Sequence, residues 1–319
     1  MRRASTAIIA IMLTAVPSGA AADGLLLFDT CGATKRRSYD HPAFHAIRPD
    51  GRGFRTLRDW RIHRVTPGCP RSEPSWSPSG RRIVYRHGNG IATANRRLRD
   101  RRNLHPAGLW PAWSPDGDRI AFTGLDDRGR DDGLVTIPAG GGRARVVARV
   151  ASGVLLPSWR PDGEVLLFHT RPPTDPRVLM VPAGGGPVRD LGPGSAPAYA
   201  PGGDRIAFVH AGTVWTMRPD GSQRQRLTTP ATGLVVERVA WSPDGRRIAY
   251  LEDEPGDSIA VFIRVIPRAG GTPRTVALPH DLCCPNSLSW SRTSPRQTGV
   301  SVSRSKRQSM PDNDAAARG

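Results

Sequence analysis

Lysine is almost absent from this 319-residue chain, although the formal net charge is +18. Lys35 and Lys306 are the two lysines, so arginine supplies nearly all of the positive charge. A large basic excess suggests an anionic partner such as nucleic acid, anionic lipid or a cell-wall polymer. The arginines are spread along the chain, and no motif typical of DNA or RNA recognition accompanies them. The charge alone therefore makes a polyanion a possible alternative partner, and no sequence motif supports it.

Common catalytic motifs are missing as well. The sequence has no Gly-x-Ser-x-Gly elbow, no Gly-x-x-x-x-Gly-Lys phosphate loop and no His-Glu-x-x-His zinc motif. The glycine triplets at 140–142 and 184–186 separate two strands instead of preceding a helix, so we interpret them as hairpin turns. These absences favour a protein without catalytic or cofactor-binding residues.

Long apolar runs are confined to the N-terminus. Arg2 and Arg3 precede a short apolar segment at 7–16, and Ala20-Ala21-Ala22 has the small-residue pattern of a cleavage site. We predict a signal peptide at 1–22 and an exported protein, either secreted or associated with the periplasm or cell envelope. No cysteine follows the cleavage region to carry a lipid, and no later segment predicts a transmembrane helix.

Cysteine is also scarce, and its four positions suggest disulfide bonds in an exported chain. The candidates are Cys31, Cys69, Cys283 and Cys284. Neighbouring cysteines fit disulfide geometry poorly, so Cys283 and Cys284 are each expected to pair elsewhere. The sequence does not choose between the pairings. We interpret all four as structural links, not as nucleophiles or metal ligands.

The sequence does contain a repeated phrase, typified by Trp-Ser-Pro-Asp-Gly followed by an apolar strand. Its anchor aromatics recur about every 40 residues, a period typical of repeat architectures. They are Trp76, Trp113, Trp159, Tyr199, Trp241 and Trp290. Each copy reads as four short antiparallel strands, because tight turns follow its first and third strands. Four such strands describe one propeller blade.

The two ends of the repeat array complement each other. Residues 25–28 look like a second strand without a first, whereas 288–291 look like a first strand without a second. We therefore predict an all-β, six-bladed propeller at 23–291, closed by a C-terminal strand in the N-terminal blade. It is expected to be a monomer. The polar segment 292–319 is expected to be disordered.

These repeats resemble the WD-like repeats of the TolB-type propeller family. The resemblance covers roughly Leu25 to Trp290, and several copies share both sequence and spacing. The copy at Tyr199 departs from the pattern, because it lacks the tryptophan and the aspartate. The resemblance implies a propeller fold and a role in binding.

Long, variable loops follow the second and fourth strands, so they share one face of the predicted ring. Binding residues usually lie on such loops. His87 and His210 follow second-strand aromatics by two residues and are candidates for binding at the channel mouth, whereas His169 should point the other way. A transition metal at these histidines, or calcium at the acidic loops 124–133 and 252–257, is a further hypothesis. Solvated acidic loops are the simpler interpretation.

Two functions from different classes remain. The first is an exported, non-catalytic scaffold that binds a protein or peptide through its variable loops. The alternative is a lyase or hydrolase that acts on a saccharide or lactone with a metal in the channel. The fold alone does not decide between them, because one fold carries many functions.

Overall fold

A computed structural model describes residues 24–30, 43–57, 73–171, 175–229, 233–254, 257–279, 285 and 287–291. The described residues form 24 strands and no helix, so none of them belongs to a helix that could cross a membrane. The predicted signal peptide, the tail at 292–319 and all four cysteines lie outside the described residues.

The strands form six antiparallel sheets of four, which confirms the predicted six-bladed propeller. The first blade contains β1 (Leu26–Thr30), β2 (Ala43–Ile47), β3 (Arg55–Leu57) and β24 (Ser289–Trp290). The second contains β4 (Ser75–Trp76), β5 (Arg82–His87), β6 (Gly90–Asn95) and β7 (Arg102–His105). The third contains β8 (Gly108–Trp113), β9 (Arg119–Leu125), β10 (Asp131–Pro138) and β11 (Arg145–Ala148).

The remaining blades repeat the same order. The fourth contains β12 (Leu155–Trp159), β13 (Val165–His169), β14 (Arg177–Pro182) and β15 (Arg189–Pro193). The fifth contains β16 (Ser195–Tyr199), β17 (Ile206–His210), β18 (Thr213–Met217) and β19 (Gln225–Arg226). The sixth contains β20 (Val235–Trp241), β21 (Arg247–Glu254), β22 (Asp257–Pro267) and β23 (Arg274–Thr275).

The C-terminal strand closes the ring. Leu26 pairs with Trp290, and Leu27 pairs with Ser289. Just beyond this pairing, the Ser291 N–H donates to the Leu25 carbonyl at 2.9 Å, and the Leu25 N–H donates to Ser291 Oγ at 2.8 Å. Because β24 covers the edge of β1, the first blade has the same four strands as the others.

Apolar side chains fill the spaces between adjacent blades. The aromatic residues of the second strands are fully buried there, because alternate side chains of a strand point to opposite faces. They are Phe28, Tyr85, Phe122, Phe168, Phe208 and Tyr250. The cluster between the sixth and first blades joins Leu251 and Ile263 to Leu26, Phe28 and Trp290. The core is therefore a ring of clusters, one between each pair of neighbours.

The anchor aromatics connect blades by hydrogen bonds as well as by packing. Trp159 Nε1 donates to the Ala112 carbonyl of the preceding blade at 3.1 Å, and Trp241 Nε1 donates to the Ala198 carbonyl at 3.0 Å. The Arg119 guanidinium lies 4.8 Å from the centre of the Trp159 ring. The repeated phrase thus specifies how one blade docks on the next.

Candidate functional site

The first strands of the six blades line a central channel of about 320 Å³. The residue before each anchor aromatic lies on the channel wall, because successive side chains of a strand point to opposite faces. In all six blades this residue is serine or alanine. These residues are Ser75, Ala112, Ser158, Ala198, Ala240 and Ser289. Prolines of the repeat turns line the end nearest the short turns, namely Pro78, Pro115, Pro161, Pro201 and Pro243. Most of the channel wall is therefore chemically uniform.

The opposite end of the channel is chemically varied. One residue, three positions before each anchor, lies on this end of the wall, and we call the six together the mouth ring. The mouth ring consists of Glu73, Trp110, Leu156, Ala196, Arg238 and Ser287. Three of its members are charged or polar, and three are apolar. The side chains of the channel wall thus differ most from blade to blade at the end where the long loops meet the channel.

Four members of the mouth ring have an unusual backbone. Glu73, Trp110, Leu156 and Ala196 have φ between +47° and +51°, and a proline follows each of them. The first strands of the third, fourth and fifth blades change register at this point. A residue other than glycine in this region costs about 1–3 kcal/mol, and such strain is concentrated at functional sites. The repeated bulge sets the direction of the side chains at the mouth.

Glu73 is a buried carboxyl group in the mouth ring. Its exposed fraction is 7%, and its Oε2 accepts a hydrogen bond from the Trp110 backbone N–H at 2.7 Å. Burial raises the pKa of Glu73 to about 8, although the Trp110 N–H and the charges of Arg238 and Arg86 oppose this rise. Glu73 is therefore largely protonated at neutral pH, and its proton is lost at mildly alkaline pH.

Asp29 lies behind Glu73, where the first blade meets the second. Its side chain is fully buried and accepts a hydrogen bond from the Ser287 hydroxyl. The Asp29 Oδ2 atom also lies 3.4 Å from the Glu73 backbone nitrogen. These contacts connect the closing segment to both blades, so two carboxyl groups support the polar side of the mouth ring.

A pocket of about 590 Å³ adjoins the apolar side of the mouth ring. It shares Trp110, Leu156 and Arg238 with the channel wall, and the long-loop ends of the fourth to sixth blades form the rest. Its other lining residues include apolar ones, Leu155, Val209, Val235 and Val236, and ionisable ones, His169, Asp175, His210 and Glu237. Apolar walls with a few polar groups are typical of binding pockets.

Comparison with known proteins supplies the family. The sequence model of the TolB beta propeller domain matches residues 73–265, which is more than half of the chain. The chain belongs to the TolB β-propeller domain family. A relative, the Tol-Pal system protein TolB of Anaeromyxobacter dehalogenans (strain 2CP-C), is 34% identical over 103 residues. That match covers 30% of this chain but only 24% of the relative.

Solved structures agree on the architecture. TolB from Acinetobacter baumannii superimposes with a TM-score of 0.66 and 17% identity, over 84% of this chain and 66% of that one. A putative TolB from Agrobacterium tumefaciens gives a TM-score of 0.63 and 18% identity, over 83% of this chain and 93% of that one. At such low identities the likeness concerns the propeller fold alone.

The structure of this TolB-type propeller separates the histidines identified in the sequence. His210 lines the large pocket, edge-on to Trp215 with ring centres 5.5 Å apart. His87 lines a different pocket with Asn89 and His105, which shares no residue with the channel wall. His87 and His210 are therefore not brought together. Among the described residues, no group of three or more His, Cys, Asp or Glu side chains is arranged to hold a metal ion.

His169 is buried beside the same large pocket. Its Nδ1 accepts the backbone N–H of Ala196 at 3.3 Å, which orients the ring. Burial lowers the pKa of His169 to about 3, and the charge of Arg238 adds to this effect. The imidazole ring is therefore neutral at physiological pH, and it accepts a hydrogen bond from the backbone of Ala196, a member of the mouth ring.

Carboxylates of the first acidic loop bind their own backbone. Asp126 accepts hydrogen bonds from the N–H groups of Arg128 and Arg130, and it forms an ion pair with Arg130. Asp131 accepts hydrogen bonds from Gly133 and Val154. These bonds account for the folding of the loop, and calcium binding at 124–133 or 252–257 stays a prediction.

The mouth ring is the main feature that sequence reasoning missed. Histidines are candidates because their side chains are chemically active, whereas the mouth-ring residues share only their position, three residues before each anchor aromatic. A signal was present in the Xaa-Pro pair that precedes four of the anchors, as in Glu73-Pro74 and Trp110-Pro111. Its effect on side-chain direction became apparent from the backbone angles.

Proposed function

We propose that this chain is an exported, non-catalytic scaffold that binds a protein or peptide segment at its long-loop face. The observation that carries this proposal is the mouth ring, where six repeats that otherwise agree present six different side chains. Loops on a rigid scaffold are common binding elements. Export rests on the predicted signal peptide at 1–22.

The chemistry of the mouth suits an extended segment of mixed character. Trp110 and Leu156 lie where the channel and the large pocket meet, so an apolar side chain of the partner could contact both. Arg238 lines the same junction and would attract a carboxylate. Aromatic and arginine side chains dominate the energetics of many interfaces. A peptide that combines an apolar anchor with an acidic residue fits these groups.

The family gives this proposal independent support. The relative from Anaeromyxobacter dehalogenans is by name a protein of the Tol-Pal system. The alternative, a saccharide or lactone enzyme with a channel metal, gains no support from His87 and His210, which line different pockets.

An interaction screen with matched variants tests the proposal. The mature chain would be immobilised, and proteins captured from envelope extract would be identified and mapped to a peptide. We expect Trp110→Ala and Arg238→Ala each to weaken binding of that peptide by about 30-fold or more, as for interface hot spots. Arg145→Ala, on the opposite face, is the matched control and should bind like wild type.

Two results would contradict the proposal. Equal affinity of wild type and both mouth variants for the captured peptide would place the binding site elsewhere. Alternatively, a stoichiometric metal in the purified protein, together with a turnover of saccharide that His210→Ala abolishes, would support an enzyme instead. Circular dichroism of each variant checks that the fold is intact.

A further inference from the structure

The arginine surplus is concentrated on the face opposite the mouth ring. This short-turn face is formed by the turns that join first to second and third to fourth strands. Every blade contributes an exposed arginine at or beside these turns, namely Arg52, Arg97, Arg143, Arg189, Arg218 and Arg246. These six arginines are far apart in the sequence but lie on one side of the ring.

The described long loops lack this surplus. Between the strands they contain four carboxylates, Glu73, Asp126, Asp127 and Asp175, and four arginines, Arg128, Arg130, Arg149 and Arg171. The loops at 31–42 and 58–72 fall outside this comparison. Among the described residues, the positive surplus therefore belongs to the short-turn face and not to the long loops.

The turn between β6 and β7 holds the densest group of arginines. Asn95 Oδ1 accepts hydrogen bonds from the backbone N–H groups of Arg97 and Arg99, at 2.9 and 3.0 Å, and so fixes the turn. The carboxylate of Asp100 is paired with Arg82 at 2.7 Å. Arg97, Arg99 and Arg101 remain exposed, and the described residues place no carboxylate within ion-pair distance of them. Their charge is directed to solvent.

The positive field continues from blade to blade. Burial lowers the pKa of Arg55 in the first blade, and the charge of Arg96 in the second blade lowers it further. The aspartates of the repeat turns reduce the field without cancelling it. Asp204 is paired with Arg268, and Asp162 with Arg160, so each is already matched by an arginine of its own face. The net charge of the described short-turn face is positive, because its arginines outnumber its carboxylates.

Two exposed valines accompany the arginines. Val146 and Val188 are 36% and 39% exposed, and they lie at the short-turn ends of the third and fourth blades. Arg145 and Arg189 are their sequence neighbours. The described exposed large hydrophobic residues include one aromatic, Phe262, which belongs to the strand β22. The short-turn face thus combines positive charge with aliphatic side chains, and none of its described aromatic side chains is exposed as a platform for stacked bases.

We propose that the short-turn face binds the surface of an anionic lipid bilayer. Arginines distributed over all six blades of a disc match a plane, whereas a linear polymer is bound along a groove or stripe. The arginines would contact phosphate groups, and Val146 and Val188 would contact the interfacial region. The mouth ring would then face away from the membrane. This inference concerns a different face from the proposed function and does not depend on it.

Flotation with lipid vesicles tests the inference. The mature chain would be mixed with vesicles of phosphatidylcholine and phosphatidylglycerol at a ratio of seven to three, and with pure phosphatidylcholine. We expect partitioning only into the anionic vesicles, weaker at high salt because the Debye length shrinks. The triple variant Arg97→Gln/Arg99→Gln/Arg101→Gln should partition about 100-fold less, since each arginine near such a surface contributes about fivefold.

Matched variants separate a lipid surface from other polyanions. Arg128→Gln/Arg149→Gln/Arg171→Gln removes the same charge from exposed positions of the long loops and should leave partitioning within about twofold of wild type. Val146→Ser/Val188→Ser should weaken binding to vesicles but not retention on heparin. Absence of binding to anionic vesicles, or equal losses in the two arginine triples, would overturn the proposal. Heparin or DNA binding without vesicle binding would also overturn it and indicate a polymer.

Discussion

Replacement of Trp290 by alanine tests whether β24 holds the ring closed. Trp290 is 9% exposed and packs with Leu26, Phe28 and Leu251, and the Arg247 guanidinium lies 5.4 Å from its ring centre. Truncation of a buried aromatic residue costs about 3–5 kcal/mol. We therefore expect Trp290→Ala to lower the free energy of unfolding by that amount, measured by urea denaturation with far-ultraviolet circular dichroism.

A matched variant distinguishes closure from ordinary core packing. Trp159 is 6% exposed in an internal blade, so Trp159→Ala should cost a similar amount of stability without opening the ring. Limited proteolysis of the two variants then gives the decisive comparison. It is done in a thiol reductant, so that no disulfide bond near the closure can hold the ring together. We expect early cleavage within the first blade for Trp290→Ala alone. A loss below about 1 kcal/mol, or equal cleavage in both variants, would refute the assigned role of β24.

Two further predictions concern single groups. The pKa of Glu73 is about 8 in the folded chain and 4.5 in its ordinary state. The free energy of unfolding of the wild type should therefore fall as pH rises through this window, by up to about 1.4 kcal/mol per pH unit. Glu73→Gln should remove that slope in denaturation curves measured between pH 5 and 8, and an unchanged slope would show that the carboxyl is not protonated. Trp159→Phe loses the hydrogen bond to Ala112 and should cost about 1 kcal/mol of unfolding free energy beyond the change in packing. The buried Trp113 Nε1 has no hydrogen-bond partner among the described residues, so Trp113→Phe should cost less. Equal unfolding midpoints for the two variants would contradict this assignment.

The fold was predictable because each repeat contains the residues that specify one four-stranded blade. The anchor aromatic, the tight turn and the following apolar strand recur together, so the blade number and the closure by Trp290 followed from the spacing. Pairing of β24 with β1 confirms that closure. Disulfide bonds at Cys31, Cys69, Cys283 and Cys284 stay a prediction, because these residues lie outside the described part of the chain.

The site was harder to predict, because its residues occupy equivalent positions in the six blades but differ in side-chain chemistry. Trp110 and Leu156 point to the mouth because of a positive φ in a bulged strand, and ordinary strand alternation does not include such a backbone. The elevated pKa of Glu73 arises from burial between blades, which depends on the assembled ring. The sorting of arginines by face likewise required the topology to be known.

Closure of the ring also constrains the order of events during synthesis. Strand β1 ends at Thr30, but its partner β24 begins only at Ser289. At about 5–20 residues per second, a ribosome needs on the order of tens of seconds to add the intervening chain. Throughout that interval the backbone of Leu26 and Leu27 lacks the neighbour it has in the finished ring. The outer edge of β1 therefore stays open to unwanted strand pairing until Ser289 and Trp290 have been added.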